Sequence, residues 1–192
     1  AEVVGAVQQF VQPVAEALLR LEQDGLVESL PRYGARVKTW DIESLRNDQV
    51  LREALETQAA RLCAENASDD DLLKLENAAG RLDELFSTGD RDAAGAMQAH
   101  LELHLEVARL SGYESLAKGT ERVWMRRLMY WNWLNATVSH VPPDWHRRLI
   151  AAIATRDPEA AADRMRRHVR FGRERDVELL HSNGEDTSGE RQ

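Results

Sequence analysis

The sequence predicts an all-α fold, an antiparallel bundle of six helices preceded by a small helix-and-hairpin segment. Three observations predict it. From residue 41 onward apolar residues recur at intervals of three and four, the period of a helix with one face turned inward. The runs are separated by helix punctuation: Ser68 before three aspartates, Ser111-Gly112, Pro142-Pro143 and Asp157-Pro158. Strand-like alternation is confined to "LVESLPRYGARVKTW", which lies ahead of these runs.

Residues 2–7 read as a short helical piece and 13–23 as a second helix, with Val14, Leu18 and Leu21 as its apolar stripe and Gly25 as its stop. The alternating stretch turns at Pro31 to Gly34 and reads as a β-hairpin. Helix, helix, hairpin is the order of a winged helix-turn-helix whose first helix is missing, so residues 1–40 are expected to form a partial DNA-binding domain. The first bundle helix covers 41–65, capped by Asp41, with Leu45, Leu55, Ala59 and Leu62 on one side. Ser68 caps the second, over 68–86, and the three aspartates that follow suit the positive end of its dipole. "STGD" closes that helix, and the third runs over 90–110 to Ser111-Gly112. The fourth, over 113–137, carries Trp124, Tyr130, Trp131 and Trp133, aromatic residues expected in the core or at a dimer surface. The fifth covers 144–155. "RDPEAA" starts the sixth with proline in its first turn, and that helix is expected to end near His181. The bundle domain therefore spans 41–181, and the polar stretch 182–192 is expected to be disordered.

Composition narrows the function. The 192 residues carry a net charge of −8, which argues against a protein that coats nucleic acid over its whole surface, so any DNA contact must be local. Basic residues cluster in "RYGARVK" and in "RMRRHVRFGRER", but the second cluster alternates with apolar positions at helical spacing and reads as a solvated helix face. No apolar run approaches the length of a membrane span, and no leader pattern opens the chain, so a cytoplasmic protein with no membrane partner is expected. The single cysteine, Cys63, falls in an apolar position and reads as a small core residue.

The histidines carry the chemistry. His100 and His104 lie one helical turn apart and leave the third helix on the face that also bears Met97, Val107 and Ala108. His146 keeps the company of Leu149, Ile150 and Ile153, and His168 that of Ala161, Met165 and Gly172, again at helical spacing. A lone buried imidazole usually needs only a hydrogen-bond partner, because an unsatisfied buried polar group costs roughly 1–3 kcal/mol. Four histidines delivered to one core by three helices are more economically explained by one shared divalent metal, zinc first and nickel second. His140 and His181 lack this pattern and are expected to be exposed.

These residues also carry a resemblance. "PVAEALLRLEQDGLV…PRYGARV" resembles the end of the winged helix of GntR-family bacterial transcription regulators, with its "PVREAL" run and glycine-containing wing. "LREALETQAARLCAE", "HLELHLEVARLSGYESL" and "HRRLIAAIATRDPEAAADRMRRHV" are similar to successive segments of that family's FadR-type ligand-binding domain, known as FCD. The resemblance implies a helical sensor of the shorter, metal-binding branch, with a metal held by an aspartate and three histidines beside a pocket for a small carboxylate metabolite. His104, His146 and His168 fall on the histidine positions, and His100 stands at the aspartate position. Four neutral ligands would leave a divalent ion with a fuller positive charge and favour an anionic guest. A carboxylate also needs a fixed cation. Arg52 and Arg127, each in line with an apolar stripe, are the candidates, although Arg52 is equally placed for an ion pair with Glu56 one turn on.

The DNA reader departs from the family pattern. "QQFVQPVAEAL" stands where a run like "GVSRTPVREAL" is usual, so Val11 and Ala15 replace two expected arginines, leaving Arg20 on the helix and Arg32, Arg36 and Lys38 on the wing to contact DNA. The resemblance implies a homodimeric regulator of operator DNA in which metabolite binding alters the spacing of two readers. A histidine-bound zinc could also serve a metalloenzyme, but no Glu or Asp shares the faces that carry the histidines, and an enzyme is not expected. A third reading keeps the sensor and loses DNA binding.

Overall fold

The computed structural model describes residues 2–39, 42–87, 93–133 and 141–186, with side chains placed over 11–39, 43–87, 94–131 and 141–174. Two units partition it, Ala1–Asp41 and Ile42–Gln192.

In the first unit the two helices expected over 2–7 and 13–23 are one helix, α1 (Glu2–Gln23), with Pro13 inside it. A proline's φ of about −65° is already helical, and the one backbone bond it removes is outweighed by the helix-forming run from Ala15 to Arg20. The expected stripe of Val14, Leu18 and Leu21 is 59%, 38% and 38% exposed. At its end Gly25 takes φ 74°, and the amides of Gly25 and Leu26 bond back to the carbonyls of Glu22 and Leu21, which stops the helix in a left-handed cap. The chain then forms the hairpin β1 (Val27–Leu30) and β2 (Gly34–Val37), paired antiparallel with Glu28 opposite Arg36. Its turn places Arg32 at φ 71°, with the Tyr33 amide on the Leu30 carbonyl.

The second unit contains α2 (Ile42–Asn66), α3 (Asp69–Ser87), α4 (Ala93–Leu110), α5 (Glu114–Trp133), α6 (Trp145–Ala154) and α7 (Pro158–Asp186). α2 packs against α4, α5, α6 and α7, while α3 packs on α4 and α6. Its inward row is Leu45, Gln49, Arg52, Glu56, Ala59, Ala60, Cys63 and Ala64, all buried. This corrects the expected stripe, because Leu55 and Leu62 are only half-buried. The row is polar in the middle, where Arg52 and Glu56 form an ion pair, and small at the end, where alanines let neighbouring helices approach.

Caps explain most boundaries. Ser68 and Asp71 cap reciprocally, the Asp71 amide donating to Ser68 Oγ (3.2 Å) and the Ser68 amide to Asp71 Oδ2 (3.3 Å). Asp157 Oδ1 accepts the amides of Glu159 and Ala160 at the start of α7. That helix runs to Asp186 rather than ending near His181, so part of the stretch expected to be disordered is helical. Asp41, Asp90, residues 134–140 with His140, and the last six positions of the chain lie outside the described residues, as does the His181 side chain. Among the described residues no helix is long and apolar enough to cross a membrane.

α4 separates two apolar clusters. Leu103, Val107 and Ala108 join the larger, with α2, α3, α6 and α7, and Met97, Leu101 and Leu105 join Trp124 and Trp131 of α5 in the smaller. The histidine row of α4 lies between the two.

Candidate metal centre

Helical spacing delivers the imidazoles as the sequence implies. His100 and His104 leave α4 one turn apart, α6 supplies His146 and α7 supplies His168, and all four are buried. The Nε2 atoms of His100, His104 and His168 converge, 3.0 Å between His100 and His104, 3.2 Å between His104 and His168 and 3.3 Å between His100 and His168. His100, His146 and His168 can each turn one ring nitrogen to within 4.8 Å of the other two. His100, at the position where the family pattern has aspartate, thus stands in the middle of the group.

Two carboxylates that sequence reasoning did not place here stand behind the rings. Glu56, 1% exposed on α2, pairs with His104 Nδ1 and accepts from Trp124 Nε1 (3.0 Å) and Arg52 Nε (2.5 Å). Asp83, on α3, meets His146 Nδ1 at 2.6 Å through Oδ1, which also accepts the His146 amide, while Oδ2 accepts the Arg147 amide. Asp144, at the N-cap position of α6, sits at φ 56° and makes no side-chain cap bond, so Asp83 caps that helix from a neighbouring one. The helical register held a signal for Asp83, since it shares its inward face with Ala79, Leu82 and Phe86. No Glu or Asp shares the helix faces that carry the histidines, and the acids that reach the rings come from two other helices, α2 and α3. Each is engaged at the outer ring nitrogen, which leaves it to orient a ligand rather than to act as a base.

Hydrogen-bond accounting tests whether the set fits a metal. With Nδ1 facing a carboxylate, the rings of His104 and His146 hold their proton there and turn Nε2 inward as a lone pair. His146 Nε2, His100 Nδ1 and His168 Nδ1 are buried with no hydrogen-bond partner among the described residues. Three Nε2 atoms at mutual contact cannot all be satisfied by the protons of neutral imidazoles, whereas one cation would satisfy every lone pair. Burial, reinforced by the neighbouring rings, holds the His100 and His168 imidazoles well below the usual histidine range. Burial also lowers His104, against the raising influence of Glu56. The rings of His100, His104 and His168 are therefore neutral near pH 7, the state in which imidazole ligates. In the opposite direction, burial raises the Glu56 carboxyl, but Arg52 and His104 prevail and hold it at about 2.

A cavity of about 40 Å³ opens beside His100, His146 and His168, lined also by Arg52, Arg127, Trp131, Trp145 and Gly172. Both expected effector arginines thus border it. Arg52 is 2% exposed and makes the ion pair with Glu56 as well as facing the cavity, and Arg127 places Nη1 3.3 Å from Met97 Sδ. The aromatic run of α5 divides its work, Trp124 packing on His100 and His104 and Trp131 walling the cavity. Trp145, Phe171 and Gly172 were not singled out as pocket residues by spacing, because the wall is formed where separate helices meet. Of the cations expected at DNA, Arg20, Arg32, Arg36 and Lys38 are all exposed in the first unit, and Arg36 is paired with Glu28.

Comparison with known proteins agrees with this architecture. The chain is 24% identical over 168 residues to the Nta operon transcriptional regulator of Aminobacter aminovorans, covering 88% of this chain and 78% of that one. The fold is similar to E. coli McbR/YncC, with a TM-score of 0.74 and 21% identity over 90% of this chain and 85% of that one. It is also similar to a GntR-family transcriptional regulator from Pseudomonas syringae pv. tomato, with a TM-score of 0.64 and 22% identity over 91% of this chain and 73% of that one. The FCD domain model matches residues 49–171, the stretch that contains Arg52, Glu56, Asp83 and all four buried histidines, and the chain belongs to the FCD domain family.

Proposed function

We propose that this chain is a cytoplasmic, homodimeric DNA-binding transcription regulator whose operator binding is controlled by a small carboxylate metabolite held beside a divalent metal. The observation that carries the reading is the convergence of three Nε2 atoms within 3.3 Å in a core where the carboxylates of buried Glu56 and half-buried Asp83 face the Nδ1 atoms of His104 and His146. His100, His104, His146 and His168 would hold the ion. An all-nitrogen donor set suits zinc first and nickel second, rather than magnesium or calcium, which prefer oxygen. When bound, such an ion supplies positive charge that no ligand carboxylate offsets, and this draws an anionic guest. Arg52 and Arg127 border the space where that guest would lie.

The relatives that match are transcriptional regulators, which supports a regulator rather than an enzyme. Arg20, Arg32, Arg36 and Lys38 are the cations assigned to phosphate and base contacts. Arg32 supports that role by its backbone. An arginine at positive φ is strained where glycine would be relaxed, and such strain persists where the side chain is needed.

Metal analysis of protein purified without a histidine tag is expected to find stoichiometric divalent metal, reduced in His104→Ala and His146→Ala. Metal content below stoichiometry, unaffected by either change, would remove the metal centre. Salt-sensitive binding of the full chain to its own promoter is expected, and its absence would leave a sensor without a DNA function.

A further inference from the structure

Much of the basic run that opens at Arg164 is answered by acids. Arg166 pairs with Asp163, Arg170 with Glu53 at 2.7 Å, and Arg173 with the same carboxylate at 4.0 Å. Arg164 and Arg167, one turn apart on α7, are different. They meet no acid among the described residues, and neither does Arg148 on α6. The acids nearest along the chain are engaged elsewhere, Asp144 with Arg147 (3.7 Å) and Asp163 with Arg166. Trp145 brings the three cations together. The Arg164 guanidinium lies 4.6 Å from the centre of the Trp145 ring, and its Nη2 donates to the Trp145 carbonyl at 3.4 Å, which ties α7 to the first turn of α6. Arg148 leaves α6 one turn after Trp145, about 60° round that helix, and so emerges on the side where Arg164 docks. Burial, with the charges of Arg167 and Arg148 close by, holds the Arg164 guanidinium below its ordinary value. Its Nε is buried with no hydrogen-bond partner among the described residues, so this charge is also short of solvation. Like charges gathered in this way repel one another until an anion joins them.

We propose that Arg148, Arg164 and Arg167 form a surface site for a doubly charged tetrahedral oxyanion, either inorganic phosphate or the phosphate head of a small phosphomonoester. Guanidinium groups arriving from two helices suit oxygens that point in several directions, and a dianion balances three cations better than a singly charged group does. Arg164 is held in place by Trp145, so little of its side-chain freedom is lost on binding. Arg148 and Arg167 are exposed and free to close on the ion. None of the three lines the cavity beside the histidines, so this site is separate from that one and does not depend on a metal.

The test is calorimetric titration of the full chain with inorganic phosphate at about 0.15 M sodium chloride, a concentration that screens loose surface attraction. One phosphate per chain is expected. Arg148→Gln and Arg167→Gln should each weaken it about tenfold, the loss of one charge-assisted hydrogen bond. Arg166→Gln removes the same charge one residue from Arg167, but its arginine is paired with Asp163, and it should change the affinity less than about twofold. Phosphate that entered the cavity beside the histidines would bind all three variants alike. That result, or no binding at this salt concentration, would overturn the site. Without phosphate, Arg148→Gln and Arg167→Gln should melt no lower than the unmodified chain, because each removes an unanswered like charge. A lower melting temperature would show those charges to be answered already and would overturn the premise. Glycerol 1-phosphate should bind as inorganic phosphate does. Dimethyl phosphate, singly charged like a nucleic-acid backbone, should bind roughly tenfold or more weakly. Equal binding of dimethyl phosphate would overturn the assignment to a dianion.

Discussion

Replacing Asp83 by asparagine should weaken the metal centre more than the fold, and replacing it by alanine should weaken both. The carboxylate accepts the amides of His146 and Arg147 at 3.0 Å each and holds the His146 ring at 2.6 Å. The first two contacts cap α6, whose own Asp144 does not. Loss of such a cap costs about 1 kcal/mol. Loss of a hydrogen bond to a charged acceptor adds about 1.5 kcal/mol, for a total of roughly 2–3 kcal/mol in Asp83→Ala. For a chain of this size that is a fall of about 5–10 °C in the melting temperature of metal-stripped protein. Asparagine keeps one oxygen for the helix amides but no charge to hold the proton on His146 Nδ1. Asp83→Asn should therefore melt within about 1 kcal/mol of the unmodified chain yet bind zinc 10- to 100-fold more weakly, as carboxylate partners of metal-bound histidines generally require. Calorimetry after chelator dialysis and a chelator-competition titration separate the two effects. Asp83→Asn with unchanged zinc affinity, or Asp83→Ala melting within a degree of the unmodified chain, would refute the reasoning. Acid adds a check of sign. Burial raises the Asp83 carboxyl, but the His146 ring and the two amides outweigh it and hold it below its ordinary value. Its stabilisation is complete above the unfolded value of about 3.9 and is lost as pH falls through the lower folded value, and Asp83→Asn should lack that part of the acid limb.

Glu56→Gln strands the Arg52 charge in the core and should cost about 3–5 kcal/mol, read as a lower urea midpoint at pH 7. Because the Glu56 carboxyl is held at about 2, its contribution is complete above pH 4.5 and fades as pH falls towards 2, so the variant's stability should depend less on pH in that window. Burial pushes the Cys63 thiol up to about 12, so at pH 8 it should resist a disulfide reagent in the native protein and react once in denaturant. Arg32→Gly relieves a positive φ and should leave the hairpin intact, while operator affinity falls and the salt dependence of binding drops by about one phosphate contact.

Periodicity made the helices of the second unit legible, because an inward face repeats every three or four residues whatever it packs against. It also turned His100, His104, His146 and His168 inward, and the structure buries all four. What it could not supply was pairing between helices. Asp83 and His146 are 63 positions apart, and Glu56 meets a histidine of another helix, so neither contact has a local signature. The same blindness rotated the reading of α2, where leucines drew the stripe towards Leu55 and Leu62. A buried pair such as Arg52 and Glu56 reads as surface until the partner that neutralises it is known. Pro13 misled for the opposite reason. It is a strong local breaker overridden by its neighbours.

The placement of the acids gives the His100 departure its chemical meaning. A carboxylate at that position would neutralise part of a metal's charge from inside the ligand set. Here both nearby acids stand outside it, each on an outer ring nitrogen, so the inward-facing atoms are all neutral. Glu56 is shared further, between His104 and Arg52, and so balances the charge of that arginine beside the cluster. The buried pair is costly to assemble and adds little net stability. The ring that Glu56 orients must present a lone pair, and the arginine that it anchors must present a donor to the cavity. One buried carboxylate would thereby set the protonation of a proposed ligand and the direction of a proposed anion-binding group. If the histidines hold a metal as proposed, a centre that is neutral towards the metal and cationic towards its guest would follow from that arrangement.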